Sequence, residues 1–252
     1  MFESTAVKFD IDGQIAVITM NRPEKRNAIN LAMREGLLAA WSRFETDPAL
    51  RVAILTGAGD RSFSAGRDLS EDTEISQKTF LPILGDNVTV AKPVIAAVNG
   101  SALGGGWFFA QMCDLVVAAD HAVFGMPESK VGRGPAWAAW LAGVIPQKMT
   151  LELLLTGDPI AAHRAAEIGF VNHVVPTAQL MAKAMELARA IVATAPLSAA
   201  ACKEMVYASA EMGRAAALRT AFHIMEPVYQ SEDADEGVLA FREKRAPRWT
   251  GR

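Results

Sequence analysis

Asn99-Gly100-Ser101-Ala102-Leu103-Gly104-Gly105-Gly106 is the stretch whose reading decides this chain. It follows the apolar, β-favouring run Pro93-Val94-Ile95-Ala96-Ala97-Val98 and precedes Trp107-Phe108-Phe109-Ala110-Gln111-Met112-Cys113, which can continue as a helix. A strand that runs through a glycine turn into a helix leaves backbone N–H groups without acceptors at the helix start. The helix dipole adds positive potential there, and glycines let a ligand approach the main chain closely. Such a turn suits an anion, either a bound phosphate or an oxyanion that develops during reaction. Three glycines alone are equally consistent with a turn that only packs a helix on a sheet.

Upstream, residues 5–20 read as a hairpin. Val7, Phe9 and Ile11 alternate, Asp12-Gly13 supplies the turn, and Ile15-Ala16-Val17-Ile18-Thr19-Met20 returns. A polar loop, Asn21-Arg22-Pro23-Glu24-Lys25-Arg26-Asn27-Ala28, leads to Asn30, a natural N-cap. The helix it opens carries Met33, Leu37, Leu38, Trp41 and Phe44 on one face and stops at Asp47-Pro48. Val52-Ala53-Ile54-Leu55-Thr56-Gly57 reads as a buried strand, and Phe63-Ser64-Ala65-Gly66-Arg67-Asp68-Leu69 as a strand and turn with a second set of exposed N–H groups. Residues 70–91 are polar and weakly periodic and predict short helices over a cleft. Downstream, 115–119 and 122–125 predict two more strands. After them the pattern is helical throughout, at 136–143, 147–155, 161–168, 177–193, 197–212, 214–230 and 234–244. Strands alternating with helices over short connections imply an α/β fold of parallel units. Pro196 divides an α/β body, 1–195, from a helical region, 196–252.

Composition narrows the function classes. The 252 residues are 51% hydrophobic and 21% charged with a net charge of −3, an ordinary globular balance. No Lys/Arg-rich stripe supports a nucleic-acid partner, and no apolar run is long enough for a membrane span. The N-terminus has no basic flank and apolar core of a secretory signal, so the expected location is cytoplasmic. Cys113 and Cys202 sit in apolar helical contexts and read as buried hydrophobes. The four histidines fall in no ligand motif, and no metal site is expected.

Several stretches taken together resemble the crotonase, or enoyl-CoA hydratase/isomerase, superfamily. They are residues 63–69, the glycine stretch with Cys113-Asp114, and Phe124-Gly125-Met126-Pro127-Glu128. Asn21-Arg22-Pro23 with Asn27-Ala28, Leu155-Thr156-Gly157, residues 165–172 and the end from Ser231-Glu232-Asp233 through 241–245 fit the same pattern. The resemblance implies a crotonase-like spiral of ββα repeats, with a C-terminal helical region that builds trimers or dimers of trimers. It implies an acyl-CoA substrate, with coenzyme A arriving as part of the thioester and no separate cofactor. The implied oxyanion donors are the main-chain amides of Arg67 and Gly105, which stabilise a thioester enolate more than the ground state. The arginine side chain then remains free to meet CoA phosphates or a substrate carboxylate.

Glu128 stands where the resemblance implies a general acid/base. Hydratases of the family usually hold one water between two glutamates, and Phe108 occupies the other position. Two-glutamate hydration is therefore not expected; one carboxylate suffices for isomerase-like proton transfer from C2 to C4, or for single-glutamate hydratase or lyase chemistry. The family's glycine-rich turn is replaced by Gly132-Arg133-Gly134-Pro135-Ala136-Trp137-Ala138-Ala139-Trp140. Phe108, Pro135, Ala136 and Trp137 are the expected acyl pocket, with Trp140 a further aromatic candidate. CoA is expected against Lys25, Arg26 and Ala28, against Ala65, Asp68 and Leu69, and against Phe241 and Lys244 reaching from a neighbouring subunit. The alternative is a CoA-thioester-binding protein with little or no catalysis. A serine peptidase lacks a histidine motif beside Ser101, and a dinucleotide site lacks the G-x-G-x-x-G spacing.

Overall fold

A computed structural model describes residues 4–71 and 76–252. The expectations for 1–3 and for 72–75 fall outside these residues. Strands β1 (Val7–Asp12) and β2 (Ile15–Met20) form the hairpin, with Asp12 opposite Ile15 across the turn. Helix α1 (Leu31–Thr46) begins where Asn30 accepts a hydrogen bond from Met33 N, and it buries Met33, Leu37, Trp41 and Phe44. Each large apolar side chain so buried contributes about 1.5–3 kcal/mol, so this face holds α1 on the body.

The chain then alternates between two sheets. Strand β3 (Val52–Gly57) lies in the first and β4 (Ser62–Ser64) in the second; the short helix α2 (Gln77–Phe80) follows. Strand β5 (Val94–Val98) returns to the first sheet, β6 (Ser101–Leu103) to the second, and helix α3 (Gly105–Gln111) closes that turn. Strands β7 (Leu115–Ala119) and β8 (Val123–Gly125) repeat the step. The first sheet has the order β1-β2-β3-β5-β7 and the second β4-β6-β8, parallel from β2 onward in the one and throughout the three in the other. Every residue of β3 and β5 is buried, as expected of parallel strands covered on both faces. This is the ββα spiral of the α/β expectation.

The corners of the spiral stack on one another. Asn99 Oδ1 accepts from Gly57 N and Asn99 Nδ2 donates to Gly59 O, while Ser101 N donates to Arg61 O. The glycine stretch is therefore two features. Asn99-Gly100 turns between sheets, and Gly104 starts the helix after a three-residue strand too short to read as a pattern.

Two strands interrupt the region expected to be all helical. After a 3-10 stretch at Ala136–Gly143 and helix α4 (Gln147–Thr156), β9 (Ile160–Ala161) adds antiparallel to β8. Helix α5 (Ala162–Glu167) follows, and β10 (His173–Val175) extends the first sheet beside β7. Both strands pair only with partners distant in sequence, so local pattern does not announce them. Helix α6 (Leu180–Val192) is the last against the first sheet; α7 (Pro196–Ala210), α8 (Arg214–Tyr229) and α9 (Glu232–Glu243) follow. Asp233 is buried and accepts from Thr250 and Gly251, tying the tail to the start of α9. Leu218, Phe222, Tyr229, Val238, Leu239 and Phe241 remain exposed on α8 and α9.

Cys113 is buried, its thiol pushed above its usual range by that burial, but Cys202 is exposed, contrary to expectation, because it borders an open cavity between α7 and the body with Val94, Leu115 and Ile191. Among the described residues no single helix is long and apolar enough to cross a membrane.

Candidate active site

The Arg67 amide is freed by strand pairing. Ile29 N donates to Gly66 O, and Asp68 N donates to Ile29 O. In such a parallel bridge the bonds use the residues flanking Arg67, so its own N–H points to the other side. Ser64 fastens the turn, donating from Oγ to Asn27 O and accepting from Gly66 N. On the second turn, Gly104 N donates to Gly125 O and Phe108 N to Gly104 O, which leaves Gly105 N at the helix start. Among the described residues neither Arg67 N nor Gly105 N has a backbone or side-chain acceptor.

The two turns touch. A Cβ on Gly66 would lie 3.0 Å from Gly105 N and 2.8 Å from Leu103 O. Gly104 holds φ at +55°, a conformation that disfavours a side chain, and a Cβ there would meet Glu128 Oε1 at 2.8 Å. The carboxyl of Glu128 thus lies against the residue that precedes the Gly105 donor. Glu128 sits on the 3-10 turn Pro127–Val131 and is half-buried, and its Oε2 is buried with no hydrogen-bond partner. Burial pushes its pKa up, and a bond to its own backbone offsets only part of this. Such a carboxyl holds a proton more readily than an ordinary glutamate.

One turn beyond Gly104, on the same face of α3, is Phe108. It is fully buried, with its ring 4.8 Å from that of Trp137 and 6.1 Å from that of Trp140. The position four residues after Gly104 is therefore aromatic, and the Phe108 ring has no group to hold a water by a conventional hydrogen bond. Trp137 is half-buried, Pro135 partly so, and Ala136 is exposed. Ile29 and Leu81 complete the apolar surroundings, with carbons 3.2 and 3.5 Å from a Cβ position on Gly105.

The expected CoA residues separate into groups. Lys25 and Arg26 are exposed at the 3-10 turn Pro23–Lys25, and Ala65 N donates to Arg26 O, which brings both loops together. Ala28 is held through its carbonyl by Arg22. The Asp68 carboxylate is engaged by Ser70 at 2.6 Å and by Arg22 at 3.1 Å, and these hold it below the usual carboxylate range. Its side chain is a clasp between loops. Leu69 is exposed. Phe241 and Lys244 lie at the exposed end of α9, outside the group that converges on the two amides.

Sequence reasoning missed Ile29, Ser64, Leu81 and the asparagines that brace the corners. Asn27 is fully buried and donates to Ala58 O and Ser62 O, a role that only its spatial neighbours define. Leu81 lies within a weakly periodic segment and carries no local signal. Among the described residues no group of three His, Cys, Asp or Glu side chains is placed to hold a metal ion.

A family model described as enoyl-CoA hydratase/isomerase matches residues 10–252. The carnitinyl-CoA dehydratase of Escherichia coli is 42% identical over 253 residues, covering 96% of this chain and 97% of that protein. The (E)-benzylidenesuccinyl-CoA hydratase of Thauera aromatica is 37% identical over 254 residues, covering 97% of this chain and 99% of that protein. The crystal structure of an enoyl-CoA hydratase from Mycobacterium tuberculosis superposes with a TM-score of 0.91 at 36% identity, covering 99% of this chain and 100% of the other.

Proposed function

The chain belongs to the enoyl-CoA hydratase/isomerase family, and on that premise we propose that it works on an acyl-CoA through a thioester enolate. In this reading the Arg67 and Gly105 amides receive the thioester oxygen and Glu128 moves the proton. The observation that carries it is the contact of the two turns beside the Glu128 carboxyl, whose Oε2 has no hydrogen-bond partner. With the thioester oxygen on the two N–H groups, C2 is the adjacent carbon. Glu128 takes the C2 proton, and the electron pair delocalises onto the oxygen, where the donors stabilise the developing charge. Losing one such donor costs about 3 kcal/mol of barrier. The proton then returns at C4 as the double bond moves. The step needs no separate cofactor, since coenzyme A arrives with the substrate.

Phe108 favours this isomerase-like transfer over hydration by two carboxylates. A second reading, one-carboxylate hydration or dehydration, is favoured by the dehydratase and hydratase names of the two relatives. CoA would enter along Lys25, Arg26, Ala28 and the main chain of 65–69. The exposed apolar face of α8 and α9 supports association of copies as a trimer or a dimer of trimers, with Phe241 and Lys244 reaching a neighbour's CoA.

Turnover of 2-enoyl-, 3-enoyl- and aromatic acyl-CoAs in deuterated water, followed by mass spectrometry and NMR, tests the assignment. Deuterium at C2 or C4 without added water supports isomerisation, and added water supports the second reading. A wild type that binds acyl-CoA yet turns over none of the panel would overturn both in favour of a binding protein.

A further inference from the structure

Among the described residues, the way its neighbours pair leaves Arg67 without a counter-ion. The carboxylate next to it, Asp68, is taken by Arg22 and Ser70, and Arg67 makes no ion pair among the described residues. Its guanidinium instead lies over the ring of Phe80, 4.6 Å from the centroid. The ring face attracts the cation, and among the described residues the guanidinium N–H donors make no hydrogen bond, so they are left to a ligand. The next residue, Leu81, lies against Gly105. One segment therefore touches both donor residues, and the guanidinium resting on it sits at the rim of the same hole.

Reach decides what anion it can meet. An arginine side chain is short beside the pantetheine arm of CoA. With the thioester oxygen at the Arg67 amide, the CoA phosphates are a whole pantetheine arm away, whereas an anion on the acyl group is close. We propose that Arg67 selects acyl-CoAs whose acyl group bears a second carboxylate, the monothioesters of dicarboxylic acids, and pairs with that carboxylate. This rests on the oxyanion reading above.

Calorimetric binding of glutaryl-CoA and its ω-methyl ester separates the two. Neither is unsaturated, so the result does not depend on turnover. Wild type should bind the acid about 10- to 100-fold tighter, the span of a charged hydrogen-bonded pair. Arg67→Met keeps the amide donor and should bind acid and ester alike; Arg67→Lys, which keeps charge without the planar fork, should fall between them. Equal affinity in wild type, or a preference that survives in Arg67→Met, overturns the proposal and leaves the enolate reading standing. Wild type that binds neither thioester overturns both. Should Arg67→Met fail to fold, the wild-type pair and Arg67→Lys still decide.

Discussion

The turns at Gly66 and Gly104–Gly106 and the wall at 132–143 border one site but are built in opposite ways. A Cβ on Gly106 would stand 2.1 Å from Ser64 O, and one on Gly66 2.8 Å from Leu103 O. Gly132, Gly134 and Gly143 have nothing within 4 Å of that position. The first region is main chain packed on main chain, with no room for a side chain. The second is open, and aromatic side chains line it. Donor geometry is thereby insulated from change in the wall, so the acyl pocket can vary without disturbing the hole.

The largest expected effect is that of Gly106→Ala. Its methyl must displace a backbone carbonyl, and a loss of about 3 kcal/mol or more is expected, read as the urea midpoint. An unchanged midpoint would break the contrast between the two regions.

Glu128→Gln comes next, with turnover down about 100- to 10,000-fold, as for loss of a positioned acid/base. Its stability should move the other way. Burial raises the folded-state pKa of Glu128, so its contribution is full below the unfolded value and lost as pH rises through the folded one. At neutral pH the glutamine variant should melt no lower than wild type, and the difference should shrink in acid.

The same shift sets the pH profile. As the base, Glu128 must be ionised, so kcat/KM should fall on acidification with a midpoint above that of an ordinary glutamate. That limb should be missing from whatever activity Glu128→Gln retains.

Gly134→Ala should do least, changing stability by about 0.5 kcal/mol or less. A large loss would mean the wall is as tightly specified as the hole.

Much of this is legible in the sequence. The hairpin, the Asn30 cap, the amphipathic face of α1 and strands β3, β5 and β7 of the first sheet follow from turn chemistry and periodicity. The glycine stretch suggested an anion-stabilising turn from its residues alone. Strands β6, β9 and β10 were not legible, being two or three residues long and defined by their partners. Cys202 misled because an apolar helix context does not say how closely the facing elements pack on it. Asp68 was legible as part of a motif, but its bond to Arg22 joins loops 46 positions apart.

Local pattern by itself determined which segments are strands and helices where a period or a cap is present, and which residue types stand at the hole and at Glu128. Tertiary structure alone decided that the Arg67 and Gly105 amides come from touching turns, that Glu128 keeps an unpartnered oxygen, and that Phe108 is sealed by Trp137. The reason is physical. Periodicity and capping are set by neighbours along the chain, whereas a free N–H, a raised pKa and a sealed ring are set by what lies across space.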